Sequence, residues 1–154
     1  MKSEPRKKKR TQVKKDLFYN FTIIMTNKKR CCVLVDDDDD DQLIFRTTVN
    51  KSFPHYKFNG FLSADQLELF FESSNASDVE IIFLDLNMPK TNGIEVLESL
   101  KKSPDTAQIP VVIYSTSNNP NDVNQCLMRG ADAFITKPSK IKDLEETLKV
   151  YLND

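Results

Sequence analysis

Five short apolar runs are spaced along the chain, and stretches with helical periodicity separate them. Residues 31–35 form the first run and residues 81–84 the third; each is too brief for a typical helix and dense enough to be a strand covered on both faces. Residues 109–114 and 133–136 read the same way, while 56–62 is weaker and is expected nearer an edge. Between them, a helical pattern runs from Leu43 to about Phe53, where Pro54 closes it. Ser63 is placed to cap a helix carrying Leu67, Phe70 and Phe71, and Ile94, Leu97 and Leu100 mark another that ends before Pro104. A short helix over 119–129 stops at Gly130, which suits a left-handed C-terminal cap. Ile141, Leu144, Leu148 and Tyr151 mark one face of a last helix expected to reach the C-terminus. Five strands alternating with five helices imply right-handed crossovers and a parallel sheet covered on both faces.

With 154 residues, one such domain can bury its core without disulfides or structural metal. Cys31 and Cys32 are adjacent in a strand and so face opposite ways, and Cys126 falls in a helix. No zinc spacing or disulfide framework is present, which leaves three buried thiols in a reducing cytoplasm. Charge divides the chain sharply: residues 1–30 hold eleven Lys/Arg against two Asp/Glu, and the remainder eleven against twenty-one. The basic arm, 1–28, lacks apolar periodicity and reads as a disordered extension, with Met25 as a possible native start and residues 1–24 upstream of it. Its one apolar patch, 17–25, is too short to span a bilayer and has no small-residue cleavage site, so neither export nor membrane insertion is expected. Residues 29–154 make the domain, no second domain is expected after Asp154, and no specific DNA binding is expected.

Reading the strand ends together brings chemistry into view. Asp36 and Asp37 follow the first strand, Asp85 the third, Ser115 the fourth and Lys137 the fifth. In an open parallel sheet these carboxyl ends share one edge, where ligands gather. Met88-Pro89 keeps the chain after Asp85 from entering a helix at once, and Gly93 opens the next one. Three neighbouring carboxylates repel each other unless protons or a cation sit between them. Hard oxygen ligands in small number favour Mg²⁺, commonly completed by a phosphate. A lysine and a hydroxyl opposite it would hold phosphoryl oxygens, which is equipment for phosphoryl transfer to a carboxylate. A calcium loop starting at Asp36 fails, with Asp41 where glycine is needed and Thr47 where glutamate is needed. Asp39, Asp40 and Asp41 read only as helix-start charges.

In this order and spacing, VLVDDDDDDQLIF, IIFLDLNMPKTNG, VVIYSTS and GADAFITKPS resemble the receiver domain of two-component response regulators, over residues 29–152. The resemblance implies a flavodoxin-like doubly wound (βα)5 fold with a five-stranded parallel sheet of order 2-1-3-4-5. It also implies that Asp85 accepts a phosphoryl group from a histidine kinase or phosphotransfer protein. On the same basis Asp37 and Asp85 ligate Mg²⁺ directly, Asp36 acts mainly through water, and the Asn87 main-chain carbonyl adds a ligand. Ser115 matches the switch hydroxyl, Lys137 the lysine that pairs with phosphate, and Phe134 the switch aromatic. A cis bond at Lys137-Pro138 is implied as well. The downstream partner would read the face made by the fourth helix, fifth strand and fifth helix.

Two departures stand out: Ser115 replaces the commoner threonine, and Phe134 the frequent tyrosine. His55, the only histidine, lies beside Pro54 in a connecting loop, so phosphate is not expected to pass onward within the chain. The expected function is a stand-alone cytoplasmic receiver, a self-phosphorylating switch and not an enzyme with turnover. Two other readings remain open. One is a degenerate receiver that binds partners without phosphate; the other is a Mg²⁺-dependent phosphohydrolase, which lacks its DxDx[TV] start here.

Overall fold

The computed structural model describes residues 29–74 and 76–152. The expectations about the basic arm lie outside the described residues. Five strands, β1 (Arg30–Val35), β2 (Tyr56–Phe61), β3 (Val79–Leu84), β4 (Val111–Ser115) and β5 (Ala133–Thr136), form one parallel sheet in the order β2-β1-β3-β4-β5. The helices are α1 (Asp39–Ser52), α2 (Ala64–Ser73), α3 (Gly93–Lys102), α4 (Pro120–Met128) and α5 (Ile141–Leu148). This is the flavodoxin-like arrangement, with the weaker strand, β2, at an edge.

The central strands are apolar throughout because both their faces are covered. Alternate residues enter two separate core layers. Val33, Val35, Ile82 and Leu84 pack with Leu67 of α2, Leu97 and Leu100 of α3 and Cys126 of α4. Cys32, Leu34 and Phe83 pack on the other side with Phe45 and Val49 of α1 and Leu144 and Leu148 of α5. Phe45 anchors that second layer, its ring centroid 5.0 Å from Phe83, 5.4 Å from Tyr114 and 5.9 Å from Phe58. Cys31 and Cys32 enter opposite layers, and all three cysteines are buried and free.

Element boundaries follow the sequence pattern at some ends and depart from it at others. Helix α1 begins at Asp39, as the acidic first turn implies, and the Asp38 carboxylate caps it by accepting from the Asp40 and Asp41 amides. Strand β4 begins at Val111 and not at 109: Pro110 has no amide hydrogen, and only its carbonyl serves the sheet, accepting from Ile82 N at 2.9 Å. Helix α5 ends at Leu148 instead of reaching the C-terminus. Tighter i→i−3 bonds, Val150 N to Thr147 O and Tyr151 N to Leu148 O, then turn the chain so that Leu152 is buried. Ser63 caps α2 and Gly130, at φ 98°, follows α4 in the left-handed conformation, both as the sequence implies.

Strand register sets the functional edge. Val35 and Leu84 are partners, so the residues that follow them, Asp36 and Asp85, emerge side by side, and Asp85 N donates to Val35 O at 2.9 Å. Ser115 pairs with Thr136, and Lys137 N donates to Ser115 O at 2.7 Å. Past Asp85 the chain makes a small antiparallel ribbon, Asn87–Met88 with Thr91–Asn92, and enters α3 under the Asn92 cap. Gly93 lies against the main chain of Asp85 and Leu86, so an added Cβ there would overlap the Asp85 carbonyl oxygen. Backbone cannot yield as a side-chain tip can. Gly93→Ala should therefore cost about 1–3 kcal/mol of stability, read as a lowered urea midpoint; an unchanged midpoint would show that the loop does not need this close approach.

Candidate functional site

Asp36 is wholly buried at the end of β1. Its Oδ1 accepts from Asp38 N at 3.0 Å, and its carbonyl accepts from Gln42 Nε2, also at 3.0 Å. The same amide group donates to Phe61 O at 3.0 Å, which ties the ends of β1 and β2 to α1. Asp85 is 4% exposed, and its Oδ1 has no hydrogen-bond partner. Asp37 is exposed beside them, and one carboxylate oxygen from each of Asp36, Asp37 and Asp85 lies within 4.8 Å of the others. Lys137 enters from the end of β5. Its Nζ stands 2.7 Å from Asp36 Oδ2, 2.7 Å from Asp41 Oδ2 and 3.7 Å from Asp85 Oδ2, and 5.4 Å from the centre of the Tyr114 ring.

Ser115 completes the edge from β4. It is fully buried, and its Oγ accepts from Ser117 N at 3.3 Å and from the Asn87 side-chain amide at 3.2 Å. Asn87 Nδ2 also reaches Thr116 Oγ1 at 3.4 Å, so the loop after β3 is laced to the loop after β4. Phe134, on β5 opposite Ile113, is half-buried against the α2–α3–α4 layer. The structure thus brings Asp36, Asp37, Asp85, Ser115 and Lys137 to one edge, with Asn87 bridging and Phe134 behind.

Two sequence expectations need correction. The Lys137-Pro138 bond is trans, since the described residues contain no cis peptide bond. Trans is favoured by about 0.5–1 kcal/mol before proline, and with it Lys137 N still meets Ser115 O while its Nζ meets the acids. Asp41 is also more than a helix-start charge: it pairs with Lys137 across 96 residues of sequence. The signal was present in the spacing, because Asp41 precedes the buried Phe45, Thr48 and Val49 by four, seven and eight residues and so shares their face of α1.

Burial dominates the electrostatics. It pushes the Asp36 carboxyl from 3.8 up to about 6, against the opposing pull of Lys137 and the Asp38 amide. Asp85 is raised for the same reason, opposed by Lys137 and by the Asn87 and Leu86 amides. One ammonium therefore does not balance the acids gathered here. The unpartnered Asp85 Oδ1 and the three converging carboxylates suit a hard divalent cation with oxygen preference.

Similarity to known proteins extends over most of the described residues. Residues 33–149 match the response regulator receiver domain family. Two-component response regulator ARR17 of Arabidopsis thaliana is 40% identical over 79 residues, 51% of each chain. Response regulator Rcp1 of Synechocystis sp. is 41% identical over 73 residues, 47% of this chain and 50% of its own. The chain thus spans about half the length of the curated relatives it matches. The Mn²⁺-bound form of Rcp1 superposes with a TM-score of 0.69 at 26% identity, covering 80% of this chain and 95% of that one. The phosphorylated cyanobacterial phytochrome response regulator RcpA gives 0.72, also at 26%, covering 80% and 94%.

A pH dependence follows from Asp36. Its folded value lies above the unfolded one, so between about pH 4 and 6 the native state binds the extra proton and stability falls as pH rises. In metal-free buffer the loss should be on the order of 2–3 kcal/mol, and it should shrink in Asp36→Asn or with saturating Mg²⁺. Urea unfolding across this range checks it; identical slopes for wild type and Asp36→Asn would contradict it.

Proposed function

Because the chain belongs to the response regulator receiver domain family through residues 33–149, we propose that it is a phosphorylation switch in a two-component relay, with Asp85 as acceptor. The observation that carries this reading is the Asp85 carboxylate itself: nearly buried at a strand end, one oxygen unpartnered, and 3.7 Å from the Lys137 ammonium. The donor is a phosphohistidine on a histidine kinase or phosphotransfer protein. An Asp85 oxygen attacks phosphorus in line, the P–N bond breaks, and the imidazole leaves with its electron pair and takes a proton; the product is an aspartyl-phosphate.

Each neighbour has a part in that transfer. Lys137 neutralises charge that builds on the phosphoryl oxygens, where preorganised charge lowers the barrier. Ser115 Oγ, now held by Asn87, donates to a phosphoryl oxygen once it moves inward, and Phe134 follows into the space behind it. When bound, Mg²⁺ would be held by Asp37, Asp85 and the Asn87 main-chain carbonyl, with Asp36 acting mainly through water, and would supply charge neutralisation and orientation. The Mn²⁺-bound Rcp1 and phosphorylated RcpA structures support both parts of this reading. Asp85 returns to its carboxylate by slow hydrolysis, so the protein is a switch and not a turnover enzyme. The output face runs over α4, β5 and α5, where Met128, Ile141 and Leu127 are 87%, 62% and 45% exposed and open to a partner protein. Among the described residues no helix is long and apolar enough to cross a membrane.

The test is direct. Incubation with Mg²⁺ and a small phosphodonor should give one phosphoryl adduct by intact mass, lost in Asp85→Asn and slowed in Lys137→Ala by about tenfold or more, the scale of a lost charge contact in phosphoryl transfer. Absence of any adduct would leave a passive binding module, and repeated turnover of a phosphate ester would make it a hydrolase.

A further inference from the structure

The lysine of this site has a partner outside the acidic cluster. Lys137 Nζ is as close to Asp41 as to Asp36, at 2.7 Å, while Asp85 stands at 3.7 Å, beyond a good hydrogen bond. Asp36, Asp37 and Asp85 converge on one another, and Asp41 is not among them. A cation held by that cluster would not need Asp41 as a ligand. Asp41 is also well anchored. Its amide is bonded to the Asp38 carboxylate in the first turn of α1, and the helix is seated by Phe45 and Val49 in the core. Its side chain is 30% exposed and that of Lys137 9%, so solvent screens the pair only in part.

We infer that Asp41 is a positioning residue that competes with the phosphoryl group of Asp85 for Lys137, drawing the ammonium aside in the resting state and limiting how tightly a phosphoryl group is held. The inference rests on Asp85 being the acceptor. Its physical content is a partition: of the three N–H donors of Lys137 one is committed to Asp41, the ammonium also lies 2.7 Å from Asp36 Oδ2 as an ion pair, and a full contact with phosphoryl oxygens requires Nζ to shift from Asp41 toward Asp85. Asp41 also places one more negative charge beside a group that becomes more negative on phosphorylation. Removing that charge frees the lysine and strengthens its pairing.

Beryllofluoride, which occupies an acceptor carboxylate as a phosphoryl group does, measures this without turnover. At saturating Mg²⁺, binding is followed by two-dimensional NMR titration in full-length wild type, Asp41→Asn, Asp41→Glu and Asp40→Asn. Asp41→Asn should bind about threefold to tenfold more tightly, the range for coupled charged neighbours. Asp41→Glu returns the charge and should stay within about twofold of wild type, as should Asp40→Asn, which deletes an equivalent helix-start charge with the same dipole effect. Equal or weaker binding by Asp41→Asn, or an equal gain in Asp40→Asn, would overturn the competition. No binding by wild type would overturn the acceptor assignment and the inference with it, whereas wild-type binding with Asp41→Asn unchanged would overturn the inference alone.

Discussion

Lys137 leaves the end of an edge strand and reaches back to Asp36 at the end of β1 and Asp41 in α1, joining residues about a hundred positions apart in the chain. That ionic contact is made next to a carboxylate, Asp85, which it does not fully neutralise. The backbone brings all of them together through strand register: Val35 beside Leu84, Ser115 beside Thr136. Because the central strands are held on both faces by apolar layers, their polar last residues have no choice of where to go. A packed core thereby holds like charges at distances they would otherwise avoid.

The energetic consequence is a site that is uncomfortable when empty of cations. Burial raises both Asp36 and Asp85, and a lone ammonium shared three ways leaves Asp85 Oδ1 without a partner. Such unsatisfied groups usually mark places where stability is given up for function. The neighbouring hydroxyl is held differently. Ser115 is fixed by Asn87 and by the Ser117 amide, contacts that must loosen before its Oγ can turn toward Asp85. Two resting contacts, Asp41 on the lysine and Asn87 on the serine, therefore hold the two groups that a phosphoryl group would recruit.

Much of this was legible in the residues, for physical reasons. Strands buried on both faces leave unbroken apolar runs, so β1, β3 and β4 could be read with their order, and the acids, Ser115 and Lys137 could be placed at the strand ends. The aspartate run was harder. Six identical residues carry no periodicity of their own: the strand end placed Asp36 and Asp37 at the site, but nothing in the run distinguished Asp38 as the cap or Asp41 as the lysine's partner. Only the spacing of Asp41 from Phe45 and Val49 held that information. The Asn87–Ser115 bond joins two loops and has no sequence pattern at all. The bond before Pro138 came from resemblance alone, and local hydrogen bonding is met with it trans.

The structural likeness to Mn²⁺-bound Rcp1 indicates the most direct test of the convergence on which everything here depends. Crystals grown with Mn²⁺ and measured near the manganese absorption edge would locate the ion by its anomalous signal, independent of any assumed chemistry. The account predicts one strong peak among the carboxylates of Asp36, Asp37 and Asp85, with Lys137 still paired to Asp41. A peak confined to the exposed Asp38–Asp40 carboxylates, or none at the strand ends, would contradict it.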